Sequence, residues 1–163
     1  MINDKMEKAL NDQIKAELDS AYLYLSMSAH FESETWRGFA AWMRKQYEEE
    51  VKHAMKFYGF IVDRGGKVTL KQLDEPKHEW KSPLEAFQDA YHHEVAVTKR
   101  IHNLVNMAEA EKDIAAFQFL QWFVEEQVEE EQQTDQVVQL LKKVGDATPG
   151  LLILDQQLGE RKE

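Results

Sequence analysis

Apolar positions along this chain recur at alternating steps of three and four, the period that keeps side chains on one face of a helix. The first stripe runs Met6, Leu10, Ile14, Glu17, Ala21, Tyr24 and Ser28. It predicts a helix opening near Asn3 or Asp4, with Asp4 and Glu7 at capping-box spacing. Ser33 to Thr35 make a short link, with Thr35 placed to cap a second helix from about Trp36 to Asp63. That helix carries Phe39, Met43, Gln46, Glu50, His53, Phe57 and Phe60, and stops at Gly65-Gly66, a pair suited to a left-handed C-cap. Lys67 to Lys81 has no helical period, only a hint of alternation at Val68 and Leu70. If extended, such a stretch reaches at most about 50 Å, whereas antiparallel neighbours need only a few linking residues. It predicts a crossover between two parallel helices.

Ser82-Pro83-Leu84-Glu85 announces a third helix, with an N-cap Ser, Pro at the first helical position and Glu closing the box. Its stripe is Leu84, Phe87, Tyr91, Glu94, Thr98, Ile101, Val105 and Ala108. A link near Glu111 to Asp113 leads to a fourth helix with Ala116, Leu120, Phe123, Gln127, Glu130, Thr134, Val137 and Leu141, ending near Val144-Gly145. Heptad-like spacing in all four helices predicts crossings of roughly 20°. The expected fold is all-α: one domain over residues 1–163, a four-helix bundle over about 4–144 with one long crossover, and a short fifth helix over about 149–160. Leu151 to Leu154 make that last helix too apolar for an isolated exposed tail, so it is expected to pack at a symmetry axis between copies.

Composition narrows the function. Charged residues make up 31% of the chain with a net charge of −10, which disfavours nucleic acid and favours cationic partners, metal ions among them. The chain has no cysteine, which excludes disulfides, zinc-thiolate sites and iron–sulfur clusters. No apolar run approaches the roughly 20 residues needed to span a membrane, and MINDKMEKAL has no signal-like apolar region. A cytoplasmic protein is expected.

The unusual fact is that acids occupy the apolar stripes. Glu50 and His53, three apart on the second helix, share a face and suit one metal ion. A shift of 77 residues carries Glu17 to Glu94, Glu50 to Gln127 and His53 to Glu130, with QYEEE at 46–50 meeting FVEEQ at 123–127. The constant offset reads as a duplicated helix pair. Four carboxylates, Glu17, Glu50, Glu94 and Glu130, thus meet at one level of the core, and no Lys or Arg stands in the stripes to neutralise them. Unpaired, each would cost several kcal/mol; two divalent cations balance four charges. Carboxylates with one imidazole and no thiolate suit iron or manganese, with zinc also able to bind. Bundles that hold two irons take a Glu from each of two helices and Glu-x-x-His from each of the other two. Here the second half departs, reading Gln127-x-x-Glu130. One firm site (Glu17, Glu50, His53) and one looser site (Glu50, Glu94, Glu130, with Gln127 close by) are expected.

On these residues, the long crossover and the short fifth helix, the chain resembles a bacterial non-haem ferritin over essentially its full length. The resemblance implies a ferroxidase that oxidises Fe(II) to Fe(III) with O₂ or H₂O₂ at a di-iron site within each subunit. It implies ferric mineral inside a homo-oligomeric shell of 24 subunits, a third iron position from Glu49, Glu126, Glu129 and Glu130, and a redox-active Tyr24 nearby. No haem is expected, because Val51 stands where bacterioferritins carry a haem-ligating Met. The other reading of the same residues is a di-iron oxygenase or peroxidase that keeps its metals as a fixed cofactor.

Overall fold

The computed structural model describes residues 1–162. Five helices follow one another: α1 (Asp4–Ser33), α2 (Arg37–Asp63), α3 (Pro83–Ala110), α4 (Ile114–Val144) and α5 (Thr148–Gly159). Among the described residues no helix is long and apolar enough to cross a membrane.

The first four form the bundle, and hydrogen bonds fix its topology. The segment after α2 runs along α1: Asn11 Nδ2 donates to the Lys67 carbonyl (2.9 Å), the Asp74 N–H to Asp19 (2.8 Å), and Ser26 Oγ to the Lys77 carbonyl (2.6 Å). Partners that climb from Asn11 to Ser26 mean that this segment travels parallel to α1. It therefore delivers α3 to the end where α2 began, so α2 and α3 run the same way. The crossover reading is correct, while the alternation at Val68 and Leu70 is not a strand; Leu70 is exposed.

Three helices end by one device. Gly65 takes φ 74°, its N–H donating to the Val62 carbonyl (3.0 Å), while the Gly66 N–H reaches the Ile61 carbonyl (2.9 Å). These two bonds satisfy carbonyls that the helix leaves open. Thr35 (φ 65°) and Lys112 (φ 54°) do the same for α1 and α3 without the freedom of glycine. Thr35 therefore closes α1 and does not cap α2, contrary to the sequence expectation.

The cap of α2 comes from far away. Trp36, at its N-cap position, makes no side-chain bond; instead Asp155 Oδ1 of α5 accepts from the Phe39 N–H (2.8 Å). A carboxylate there also meets the positive end of the helix dipole. The helices touch through Gly38, where an added Cβ would lie 1.7 Å from the Asp155 carbonyl oxygen. At the start of α1, Asn3 caps by accepting from the Met6 N–H (2.8 Å), in place of the Asp4–Glu7 box. Ser82 caps α3 as its sequence predicts, accepting from the Glu85 N–H at 3.1 Å.

Gly38→Ala gives a direct check of the α5 contact. Helix propensity favours Ala by about 1 kcal/mol, yet the methyl has no room beside Asp155, and overpacking costs about 1–3 kcal/mol. Cleavage within residues 148–159 by a protease should rise by about tenfold, because it follows the opening equilibrium. An unchanged rate would contradict the docking.

The core falls into two apolar clusters. One gathers Tyr24, Phe31, Phe39, Trp42, Phe87, Val138 and Leu154; the other gathers Leu10, Phe57, Ile61, Ile101, Leu120 and Phe123, with Phe57 stacked on Phe123 at 4.2 Å. Each such side chain stabilises the fold by about 1.5–3 kcal/mol. The stripes of α1 and α4 are buried as predicted. In α2, Ile61 is buried and Phe60 only partly; in α3, Ala90, Val97 and Leu104 are buried where Tyr91, Thr98 and Val105 were expected. The α3 core keeps its seven-residue repeat through Phe87, Glu94, Ile101 and Ala108, but its second row, Ala90, Val97 and Leu104, lies on the other side of that line from the one expected. In α5 only Leu154 is fully buried, Leu151 and Leu158 pack partly on the first cluster, and Leu152 and Ile153 are exposed. Leu154 is thus taken up by its own bundle, while Leu152 and Ile153 face outward.

Candidate metal centre

Between the two clusters lies a polar layer built by all four long helices. Glu17 comes from α1, Glu50 and His53 from α2, Glu94 from α3, and Gln127 and Glu130 from α4. All six are at least 97% removed from solvent, with Glu94 at 0% exposure and His53 the highest at 3%. They share a level because each sits about midway in its stripe, where the helix directs it inward regardless of its charge.

Glu17, Glu50 and His53 each bring a ligand atom within 4.8 Å of the others. His53 Nδ1 lies 3.1 Å from Glu50 Oε2 and 3.9 Å from Glu17 Oε2. Glu17 Oε2 and Glu50 Oε1 are buried without a hydrogen-bond donor. Leaving such an atom unpaired costs more for a charged group than for a neutral one, so two orphaned carboxylate oxygens beside an imidazole nitrogen fit a cation. On its other edge His53 Nε2 is 3.5 Å from Glu126 Oε1, and His53, Glu126 and Glu130 form a second group within 4.8 Å.

Neutral donors hold the remaining carboxylates. Gln13 Nε2 donates to Glu17 Oε1 (2.9 Å), Gln46 Nε2 to Glu130 Oε2 (2.7 Å), and Tyr24 Oη to Glu94 Oε1 (2.5 Å). Gln127 Nε2 donates to Glu94 Oε2 (3.1 Å) and to Thr98 Oγ1 (3.2 Å), so here it orients Glu94. His93 lies beside Tyr24, its Nε2 2.6 Å from Ser20 Oγ. Gln13 and Gln46 escaped the sequence reading of the site. Gln46 lies in the α2 stripe, one turn before Glu50, and that placement was the available signal.

The outer acids separate. Glu126 reaches His53, but Glu49 pairs with Arg161 Nη2 (3.3 Å) and Glu129 is exposed. The four residues expected to form a third position do not close into one cluster. Glu126 and Glu130 do so with His53. Trp122 lies edge-on to His53, with ring centroids 5.5 Å apart, close enough to report on the centre.

Crowded acids resist ionisation. Burial, then the charges of Glu94 and Glu17, push the Glu50 carboxyl well above its usual range. Burial and Glu94 raise Glu130 to about 8, against the pull of Gln46 and His53. Glu94 is raised by burial, in part offset by Tyr24, His93 and Gln127. Tyr24 is pushed well up by burial and by Glu94, Glu130 and Glu50. His53 is raised although burial opposes it, because Glu126, Glu17 and Glu130 surround it.

Comparison with known proteins agrees with this architecture. Residues 7–144 match the ferritin-like domain. A bacterial non-heme ferritin of Bacteroides fragilis (strain 638R) is 45% identical over 99% of this chain and 100% of its own length. Another, from Staphylococcus aureus (strain USA300), is 37% identical over 99% of this chain and 97% of its own. The crystal structure of an open pore ferritin from Archaeoglobus fulgidus superimposes with a TM-score of 0.98, at 52% identity, over 99% of this chain and 100% of that one. With its full length matched and its acids gathered in the layer between the two apolar clusters, this chain belongs to the ferritin family.

Proposed function

We propose that this protein stores iron and is itself a ferroxidase. One Fe(II) is held by Glu17, Glu50 and His53 Nδ1, and a second by Glu50, Glu94 and Glu130, with Gln127 keeping Glu94 in place. The observation that carries the reading is the pair of buried oxygens without donors, Glu17 Oε2 and Glu50 Oε1, next to His53. Two ions bring four positive charges to four carboxylates and displace the protons that burial retains. Two Fe(II) then give one electron each to O₂: two Fe(II), one O₂ and four waters yield two FeO(OH), one H₂O₂ and four protons. Fe(III) is substrate on its way out, and Glu126 beside His53, followed by Glu49 and Glu129 farther out, leads it toward a mineral in a shell of about two dozen copies. Exposed Ile114, Phe117, Leu152 and Ile153 support such self-assembly. Tyr24, bonded to Glu94, is the residue from which a third electron would pass to the H₂O₂ so formed, leaving water, with tyrosyl and hydroxyl radicals for later Fe(II) to reduce. We assign the shell to the cytoplasm.

An oxygenase would need room for an organic substrate at the metals. The six residues of the polar layer are instead closed in, none more than 3% exposed. This favours storage.

Aerobic titration of the metal-free protein with Fe(II) tests the reading. Storage requires soluble loading of tens of irons per chain, with only about the first two or three oxidised rapidly. Saturation at about two per chain, with the excess precipitating at the rate of buffer alone, would establish a fixed cofactor instead.

A further inference from the structure

The acidic flank of the centre already holds a cation, and it belongs to the chain. Arg161, just beyond α5, lays its guanidinium over the Trp42 ring at 4.6 Å and donates from Nη1 to the Trp42 carbonyl at 3.5 Å. Its Nη2 is shared among Glu49 Oε1 (3.4 Å), Glu49 Oε2 (3.3 Å) and Gln133 Oε1 (3.1 Å). Charge-assisted hydrogen bonds at full strength run about 2.7–2.9 Å, so every bond here is long. The aromatic face fixes where the guanidinium sits, while its grip on Glu49 is weak. Glu49 precedes Glu50 on α2, and Gln133, which shares the guanidinium with it, lies one turn beyond Glu130 on α4.

We propose that Arg161 is the resident counter-cation of Glu49, and that an ion arriving on the acidic flank must displace it to use that carboxylate. This rests on the reading of Glu49, Glu126 and Glu129 as an outward path for iron. Arg161 is then a positioning residue. In the metal-free protein it neutralises Glu49 and keeps the flank from binding ions too tightly. When an ion takes Glu49, the guanidinium loses one of its holds and the end of the tail loosens. Linkage makes the effect reciprocal: whatever Arg161 subtracts from ion affinity, the ion subtracts from the anchoring of the tail.

The test uses the assembled full-length protein with Zn²⁺ as a redox-inert probe, measuring successive affinities by calorimetry. Arg161→Gln should tighten the third ion by about five- to tenfold, the scale of a partly exposed ion pair or a modest coupling, with the first two unchanged. Arg161→Lys keeps the charge and should stay near wild type, while Glu49→Gln should weaken the third ion. If Glu49→Gln leaves the third ion unaltered, the outward path itself is misplaced. If Glu49→Gln weakens it but Arg161→Gln does not tighten it, or Arg161→Lys tightens it equally, the path stands and the role of Arg161 is overturned. Should Arg161→Gln disturb assembly, hydrogen exchange in the wild-type protein decides: faster exchange of residues 158–162 on binding the third Zn²⁺ supports displacement, and unchanged exchange refutes it.

Discussion

Glu50→Gln is expected to slow the first fast phase of Fe(II) oxidation by at least about a hundredfold, the upper end of what losing a mere outer-shell partner costs. Glu50 is the carboxylate shared between the two proposed ion positions, so its loss leaves both short of charge. The same change should stabilise the metal-free protein by about 1–2 kcal/mol. Glu50 is 1% exposed, surrounded by Glu17, Glu94 and Glu130, and carries an oxygen without a donor. An amide in its place ends the repulsion and offers an N–H one turn from Gln46 Oε1, which also lacks a partner. The variant should thus melt higher than wild type without metal, and gain much less when Zn²⁺ is added. Stopped-flow absorbance and paired thermal melts measure both effects. A fast phase preserved in Glu50→Gln and in His53→Ala would place the oxidation elsewhere in the molecule.

Without metal, the folded protein should lose stability as pH rises from about 5 to 8. Glu130 titrates near 8 in the folded chain against 4.5 for a free side chain, and Glu50 and Glu94 are raised in the same direction. Across that window the native state retains protons that the unfolded chain has released. Stability therefore falls as pH climbs, by up to about 1.4 kcal/mol per unit for each group so held. His53 adds to the same trend, since a raised imidazole contributes stability at low pH that is lost as it deprotonates. Bound ions reverse the sign, because they require the deprotonated carboxylates. Denaturant melts at pH 5, 6, 7 and 8 with chelator should show a falling midpoint, and saturating Zn²⁺ should abolish the fall. Calorimetry in two buffers of different ionisation enthalpy should find at least about one proton released per chain on Zn²⁺ binding at pH 7. A flat stability curve without metal would mean that the layer is already charge-balanced.

Much of this arrangement was legible in the residues. Helical periodicity exposed the four stripes, and the 77-residue offset singled out acids that no surface explanation covers, because burial of a carboxylate depends on register. What escaped the sequence was set by tertiary contact. The cap of α2 could not be read from Thr35, since the group that fills it belongs to α5. The second buried row of α3 lies on the other side of Glu94 from the one expected, because periodicity gives the repeat but not which flank of the stripe the neighbouring helices cover. Glu49 looked like its offset partner Glu126, yet it turns to Arg161, and no local pattern marks an arginine from beyond α5 as its neighbour. Gln46 was passed over for a different reason: an amide in a stripe looks like a tolerated polar residue until the carboxylate it serves is located, while Gln13 lies beside the α1 stripe and nothing local marked it as buried.

The Asp155 bond to Phe39 spans 116 residues, which has a bearing on how the chain is made. During synthesis the first hairpin emerges early, and α1 and α2 have time to pair while α3 and α4 are still being added. Its second helix nevertheless begins without a cap of its own, beside a glycine that favours fraying. That end stays loose until α5 has left the ribosome and found Gly38. A segment translated after all four long helices is therefore the one that finishes the first hairpin. A nascent chain stalled before Thr148 would leave the top of the hairpin, around Phe39 and Trp42, without the cover that α5 provides, at a point when other copies of the chain are already being made nearby.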